Sequence, residues 1–325
     1  MEHVRDESAL RSFHAVLCAA HEADFEDLPA DPIEDFQPLL VRPEQPDERH
    51  LLLLARVAGV PVGAVAVTCP TRDNTGCANV DVTVHPAHRR RGHGRALLRR
   101  SCEEATAQGR RRLFFVSPGG LDGTDGPAAP LLRSVGARPV LENVRRVLDL
   151  TAHQVGAPAP VPPGYRLVSW VDQAPDAVVA GLAYLVGRMT LDAPMGEMDY
   201  EQEVWDAERY RAREAAASER GRTRIATAVV HETTGAVAGL TDIGLHLRTE
   251  PTLAFQWDTI VDPVHRGHGL GFVLKTHNHA RLVELAPQVR RVSTWNAVSN
   301  SFMVAVNDRL GFAPAERWTE WQLDL

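Results

Sequence analysis

Apolar positions along this chain recur with a helical spacing in some stretches and a strand-like spacing in others, and the two alternate in the same order in both halves. Behind the capping signal Asp6-Glu7-Ser8, residues Leu10, Phe13, Val16, Leu17 and Ala20 sit at helical spacing and predict a helix from about Ser8 to Ala23 with no strand before it. The runs His50 to Val57 and Val60 to Thr68, joined by Ala58-Gly59, predict a hairpin, and Ala78 to Val84 a third strand. A helix carrying Ala96, Leu97, Leu98, Cys102 and Ala105 stops at Gly109; a strand Arg112 to Val116, a short helix to Ser134 and a strand from about Val144 to Leu150 follow. The second half predicts a strand Tyr165 to Val171, helices from Ala174 to Arg188 and Tyr200 to Arg220, and paired strands Arg224 to His231 and Ala236 to Leu245. Then come a strand Leu253 to Val261, a helix to Leu285, a strand Arg291 to Trp295, a helix Ser299 to Leu310 and a strand Glu316 to Leu323.

Between the halves the chain turns rich in alanine and proline, Ala157-Pro-Ala-Pro-Val-Pro-Pro163, a semi-rigid linker composition. Domains are therefore expected at 1–155 and 164–325, with 156–163 as linker. A chain of 325 residues that is 44% hydrophobic supports two cores. The net charge of −7 argues against a general nucleic-acid binder. Cys18, Cys69, Cys77 and Cys102 match no zinc template and follow no signal-like segment, which reads as reduced thiols in a cytoplasmic protein. The longest aliphatic run, Leu51 to Leu54, is too short for a bilayer, so no membrane role is expected.

Against this background one stretch carries chemistry. Thr259 to Lys275 reads as strand, glycine-rich turn and helix, and Arg266-Gly267-His268-Gly269-Leu270-Gly271 leaves backbone amides at a helix start, where the macrodipole favours an anion. A second copy, Val84-His-Pro-Ala-His-Arg89-Arg90-Arg91-Gly92-His93-Gly94, places Arg89 177 positions before Arg266. Gly92-His93-Gly94 lacks the third glycine of a dinucleotide-binding turn, and neither copy ends in the Lys-Ser/Thr of a P-loop. Histidines 85, 88, 93, 265, 268, 277 and 279 have no acidic or cysteine partners at ligand spacing, and no metal is expected.

The ordered pattern Val-x-Pro-x-x-Arg-Gly-x-Gly-x-Gly, a later strand, and Asn300-x-x-Met-x-x-x-Asn307-x-x-Leu-Gly-Phe312 resemble the GNAT superfamily of acyl-CoA-dependent N-acyltransferases, over about the whole chain. The resemblance implies an α/β (α+β) fold of two tandem domains, each a mixed, mostly antiparallel sheet flanked by helices. It implies acetyl-CoA as co-substrate, its pyrophosphate on Arg266 to Gly271, with Arg89 to Gly94 and Val84 as the first-half equivalent. Backbone groups of Thr259, Ile260 and Val261 would meet the pantetheine arm, and Asn296 and Asn300 the arm or the acyl carbonyl; both asparagines also fit a helix N-cap pair.

In that family an amine attacks the thioester directly, which needs a base, a proton for the leaving thiolate, and above all positioning. Asp258 is the candidate base, with Asp192 and Glu197 as substrate-side alternatives, though a strand-end aspartate also suits plain solvation. The tyrosine that many members place five residues before the Gly-Phe phenylalanine falls here on Asn307, so either Asn307 only orients the sulfur or the thiolate leaves without a side-chain acid. Asp192, Met195, Glu197, Met198 and Trp205 are candidate acceptor-site residues. Pro127 and Pro130 interrupt the first half's equivalent of Asn300 to Phe312, and Val135-Gly-Ala137 replaces Leu-Gly-Phe. A catalytic second half and a structural or merely coenzyme-binding first half are therefore expected. The expected activity is acetylation of a small-molecule primary amine by a monomer or homodimer. The alternatives are acetylation of a cysteinyl pseudodisaccharide, as in the distantly similar mycothiol synthases, and a non-catalytic acyl-CoA sensor.

Overall fold

The computed structural model describes residues 1–152, 156–246 and 251–325; the expected domain end at residue 155 lies outside them. The chain forms two compact units, and they do not divide at the alanine and proline stretch. Unit one is Met1–Leu141 together with Trp318–Leu325, and unit two is Glu142–Arg317. A linker composition marks where the chain is extended, while unit membership follows from which strand edge each segment satisfies with hydrogen bonds.

Unit one starts with β1 (Glu2–His3), a two-residue strand that the sequence reading did not expect; it pairs antiparallel with β2 (Glu48–Val57) through Glu2 and Leu54. Helix α1 (Glu7–Asp24) is N-capped by the Asp6 carboxylate, which accepts the Ala9 N–H. After α2 (Gln37–Val41), β2, β3 (Val60–Pro70) and β4 (Cys77–Val84) form an antiparallel meander. Helix α3 (His93–Ala107) then returns the chain to β5 (Arg112–Gly119), parallel to β4. α4 (Ala129–Ser134) and β6 (Arg138–Asp149) follow.

Unit two has the order β6, β11 (Arg291–Ala297), β10 (Leu253–Val261), β9 (Val237–Leu245), β8 (Thr223–His231), β7 (Tyr165–Val171). Only the β10–β11 pair among them is parallel. Its helices are α5 (Asp176–Asp192), α6 (Ala207–Glu219), α7 (Leu270–Leu285) and α8 (Ser301–Leu310), before β12 (Ala313–Asp324). α6 begins seven residues later than expected because Asp206, extended in backbone, caps Arg209 N–H and fixes the start there. Among the described residues no helix is long and apolar enough to cross a membrane.

The same close approach seats a helix on the sheet in each unit. A Cβ at Gly63 would lie 2.5 Å from Leu97 of α3, and one at Gly239 would lie 3.1 Å from Leu274 of α7 and 2.9 Å from the Ile260 carbonyl. Glycine at these positions, on β3 and β9, lets the helix lie low over the strand next to the one that feeds its turn.

The tip of β12 belongs to unit one. Trp321 is 1% exposed, packs with Leu113, Phe115 and Leu132, and donates its indole N–H to Ser117 Oγ at 2.9 Å. Leu325 N–H reaches the Arg111 carbonyl at 2.9 Å, and Arg112 pairs with Asp324 at 3.0 Å. In unit two, β6 satisfies the free edge of β11, and Arg145, 2% exposed, binds Glu316 at 2.7 Å and Ser293 Oγ at 3.0 Å.

Lys275 of α7 is fully buried and donates to Asn307 Oδ1 of α8 at 2.7 Å, with the Phe312 ring 5.6 Å away. No carboxylate pairs with it among the described residues, and burial pushes its ammonium down to about 7. The neighbouring His279 is pushed down to about 3 by burial and by the Lys275 charge.

Trp321→Ala is expected to cost roughly 3–5 kcal/mol and to release unit one first. Hydrogen exchange should accelerate in β4 and β5 before it does in β9 and β10; equal acceleration in both would count against this division. For Lys275 the unfolded chain binds more protons than the native one between about 7 and the ordinary lysine value of 10.5, so this group makes stability rise with pH across that window. Denaturant midpoints at pH 7 and pH 9 should differ by less in Lys275→Met than in the native chain.

Candidate functional site

Each half builds its arginine-glycine turn in the same way. The carbonyl of the residue ending the feeding strand accepts from the arginine five positions on: Val84 from Arg89 Nε at 3.2 Å, Val261 from Arg266 Nε at 3.1 Å. A single tight turn lies between them, Pro86–His88 or Pro263–His265, and its preceding side chain caps it. His85 Nδ1 accepts from Ala87 N–H, and the Asp262 carboxylate from Val264 N–H at 3.0 Å. The backbone then enters the left-handed region twice, at Arg90 (φ +62°) and Gly92 (φ +86°) in the first half, and at Gly267 (φ +84°) and Gly269 (φ +73°) in the second.

This equivalence sharpens the reading of the first copy. Arg90 occupies the place of Gly267, while Gly92 and Gly94 match Gly269 and Gly271. The amides of the turn precede the helix or open it, so they have no carbonyl four residues back to bind. A Cβ at Gly92, Gly267 or Gly269 would meet nothing within 4 Å, so the outer side of each turn is open. An exposed row of amides at a helix start, beside basic side chains, fits a diphosphate.

Beside each turn two strands part. β4 and β5 pair only from Cys77–Arg112 to Asn79–Phe114, and β10 and β11 only from Leu253–Arg291 to Phe255–Ser293. Val82 to Val84 keep their pairing with β3 on the other side, and Thr259, Ile260 and Val261 keep theirs with β9 through Thr241, Leu240 and Gly239. On the side of the parting these residues have no strand partner. β10 also carries an irregularity between Gln256 and Thr259, where Asp258 lies, whereas β4 is regular throughout its pairing with β3.

In the second half Asp258 is held in a charge network. Its carboxylate pairs with Arg213 at 3.0 Å, and its N–H donates to Asp242 Oδ1 at 3.1 Å. Asp242, wholly buried, accepts from Arg224 at 2.5 and 2.9 Å. Burial pushes the Asp242 carboxyl up, with Arg224 pulling against it. Tyr210, packed against the same group, is pushed up to about 12, chiefly by burial. Trp205 also joins the network. Its ring lies 4.3 Å from the Arg209 guanidinium and 5.6 Å from that of Arg213, and its N–H donates to Glu203.

The other expected residues divide between the site and the scaffold. Asp192 binds Arg188 at 2.8 Å and Arg266 at 3.1 Å, so it anchors the turn. Met195 and Met198 share a turn in the stretch before α6, with Glu197 exposed between them. Asn300 caps α8 through Met303 N–H at 3.1 Å. Asn307 is wholly buried, accepts from Lys275 and donates to Asn296 Oδ1 at 2.5 Å, so its amide is engaged on both sides. Lys275 was not singled out in the sequence; a lysine five residues into an apolar helix face was the available signal. His231, His265, His268 and Tyr165 cluster at the second turn, with Tyr165 Oη 3.0 Å from His265 Nδ1.

Known proteins match this architecture. The model of the Acetyltransferase (GNAT) family matches residues 11–122. Over 116 residues the chain is 36% identical to the mycothiol acetyltransferase of Cellulomonas flavigena, a match covering 33% of this chain and 32% of that protein, or about a third of its length. A tandem GNAT protein from the clavulanic acid biosynthesis pathway, solved without acetyl-CoA, is 32% identical, covers 99% of this chain and 98% of its own, and superimposes with a TM-score of 0.84. The GCN5-related N-acetyltransferase of Sphaerobacter thermophilus shares the fold at 16% identity and a TM-score of 0.67, covering 98% of this chain and 93% of that one. A chain with two such turns, two such strand partings and a full-length tandem relative belongs to the GNAT family of acetyltransferases, in its tandem form, and is an acyltransferase.

Proposed function

We propose that this protein transfers the acetyl group of acetyl-CoA to a primary amine of a small molecule by direct attack, and that the second half carries the reaction. The family's acyl donor is acetyl-CoA, and the residues present fit it. The pyrophosphate would lie on the amides of Gly267 to Gly271 beside Arg266, and the pantetheine arm along Thr259 to Val261. The acyl group would enter the gap that opens past Phe255 and Ser293. The observation that carries this reading is the opened β10–β11 edge next to the turn, together with a carboxylate, Asp258, at the strand irregularity.

In this reading Asp258 accepts the amine proton and Asn296 faces the arm, while Asn307, engaged by Lys275 and Asn296, fixes the orientation of Asn296. Positioning supplies much of the rate, since a neutral amine held against a thioester needs little covalent help. Met195, Met198 and Trp205 are proposed as acceptor walls, and the protein is proposed to act in the cytoplasm as a monomer or homodimer. The match to a mycothiol acetyltransferase supports a second reading, in which the acceptor is the amine of a cysteinyl pseudodisaccharide.

Thiol release from acetyl-CoA with a panel of primary amines tests the activity. Arg266→Glu places a negative charge at the proposed diphosphate site and is expected to raise the KM for acetyl-CoA at least tenfold in the second half's reaction. Turnover unchanged in Arg266→Glu but abolished in Arg89→Glu would move the chemistry to the first half. Asp258→Asn is expected to lower kcat by about 100-fold or more at pH 7, the usual contribution of a general base. Coenzyme binding with no turnover on any amine would favour a sensor.

A further inference from the structure

The repeat also shows where the two halves part company. Nine positions past Arg89 and Arg266 stand Leu98 and Lys275, and five positions before Ala137 and Phe312 stand Leu132 and Asn307. In the first half Leu98 of α3 and Leu132 of α4 are both buried in one apolar core. In the second half the same two seats hold a lysine and an asparagine, equally buried. These are seats that leucine fills.

A buried cation is costly, and more so with no carboxylate beside it. None pairs with Lys275 among the described residues. His279, one turn further along α7, is pushed down to about 3 and is neutral. On α8, Asp308 turns to Arg146 at 2.6 Å, and Arg309 lies over the Phe272 ring. Two leucines would close this contact at less cost, as they do in the first half, so stability does not account for the pair.

Hydrogen-bond polarity does. An ammonium has three N–H donors and no acceptor. Asn307 must therefore turn its Oδ1 to Lys275, at 2.7 Å, and its NH2 group away. That NH2 group donates to Asn296 Oδ1, which leaves Asn296 with its own NH2 group on the far side, where no partner meets it among the described residues. Asn296 is half-buried and stands three residues past Ser293, in the stretch of β11 that has parted from β10. Without the cation both amides are free to turn end for end, which brings a carbonyl oxygen to the gap instead of a donor.

We propose that Lys275 is a positioning residue for acetyl transfer: through Asn307 it fixes Asn296 with an N–H toward the thioester oxygen, and its charge favours the electron density that gathers there during attack. As the amine nitrogen bonds to the carbonyl carbon, the C=O electron pair moves to that oxygen and one amine proton passes to Asp258. When the pair returns, the C–S bond breaks and the sulfur leaves as thiolate. Lys275 keeps its proton throughout. A donor held in place beforehand stabilises the developing charge with no reorganisation at the moment of reaction. This rests on the acetyl-transfer reading of the second half and adds the group that sets the polarity of its Asn296.

The experiment uses the full chain with acetyl-CoA and saturating amine from the panel above, from pH 6 to 9. It compares the native protein with Lys275→Met and with the double variant Lys275→Leu, Asn307→Leu, which copies the apolar pair of the first half. Both variants are expected to melt at or above the native temperature and to keep the native KM for acetyl-CoA, while kcat at pH 6 falls by about tenfold or more. The ratio of native to variant kcat cancels the titration of Asp258 and of the amine, and it should shrink as pH rises through about 7, where Lys275 loses its proton. In the coenzyme-free native protein the side-chain amide resonance of Asn296 should move over the same pH range, and it should stay in place in Lys275→Met. Native kcat in a folded variant, a ratio constant from pH 6 to 9, or an Asn296 resonance that does not respond would each overturn the proposal and leave acetyl transfer by the second half standing. Asn296→Asp keeps the shape and turns an oxygen to the gap, so native kcat in that variant would overturn it as well, even were both Lys275 variants unfolded. Native protein that binds acetyl-CoA and acetylates no amine would overturn the reading beneath it.

Discussion

In each half a parallel pair of strands holds for three residues and then lets go, and the rest of the chemistry depends on that interruption. A parallel ladder that continued would bind every backbone group along β4 or β10 to its neighbour, and no extended ligand could add to the edge. By ending the ladder at Asn79 and at Phe255, the fold leaves the rest of β4 and β10 without a strand partner on that side, next to a helix start that also offers amides. The arginine that reaches back to the carbonyl ending the strand, Arg89 or Arg266, then sets the distance between the two features. A long, thin ligand with an anionic end is what such a line of groups can bind along its length.

The same frame carries different charges in the two halves. Around Asp258 the second half has packed Arg213, Arg224 and buried Asp242, so the carboxylate is steered and its freedom limited. At the matching place in the first half stands Asp81, exposed, with no arginine or lysine paired to it among the described residues. The proline-interrupted segment near Pro127 and Pro130, which suggested a degenerate half, forms the short helix α4, while the parting of β4 and β5 remains intact beside it. Loss of regularity in one element therefore says little about the opening that lies one strand away.

Much of the fold was legible from the sequence because its signals are local. Hydrophobic period and glycine punctuation placed Tyr165–Val171 and Leu253–Val261 with the observed ends, and the paired turns pointed to the family that the comparisons bear out. What the sequence hid was non-local or conformational. β1 is two residues long, too short for any period, and forms because the edge of β2 is free to pair with it. Arg90 adopts a left-handed conformation that residue type does not announce, which disguised the match to Gly267. The buried place of Lys275 depends on Asn307 of another helix, which receives its ammonium. Nothing local in Trp318 to Leu325 says which unit it will complete.

That last feature bears on how the molecule is made. The ribosome delivers the chain from its amino end, so β1 to β5 emerge long before the segment bearing Trp321, and unit one must wait for it with the pocket around Ser117, Phe115 and Leu132 unfilled. Unit two can close around Glu142–Arg317 in the meantime. The half that is synthesised first is thus the half that finishes last. A gene cut at the proline-rich stretch would yield a first fragment short of its final strand.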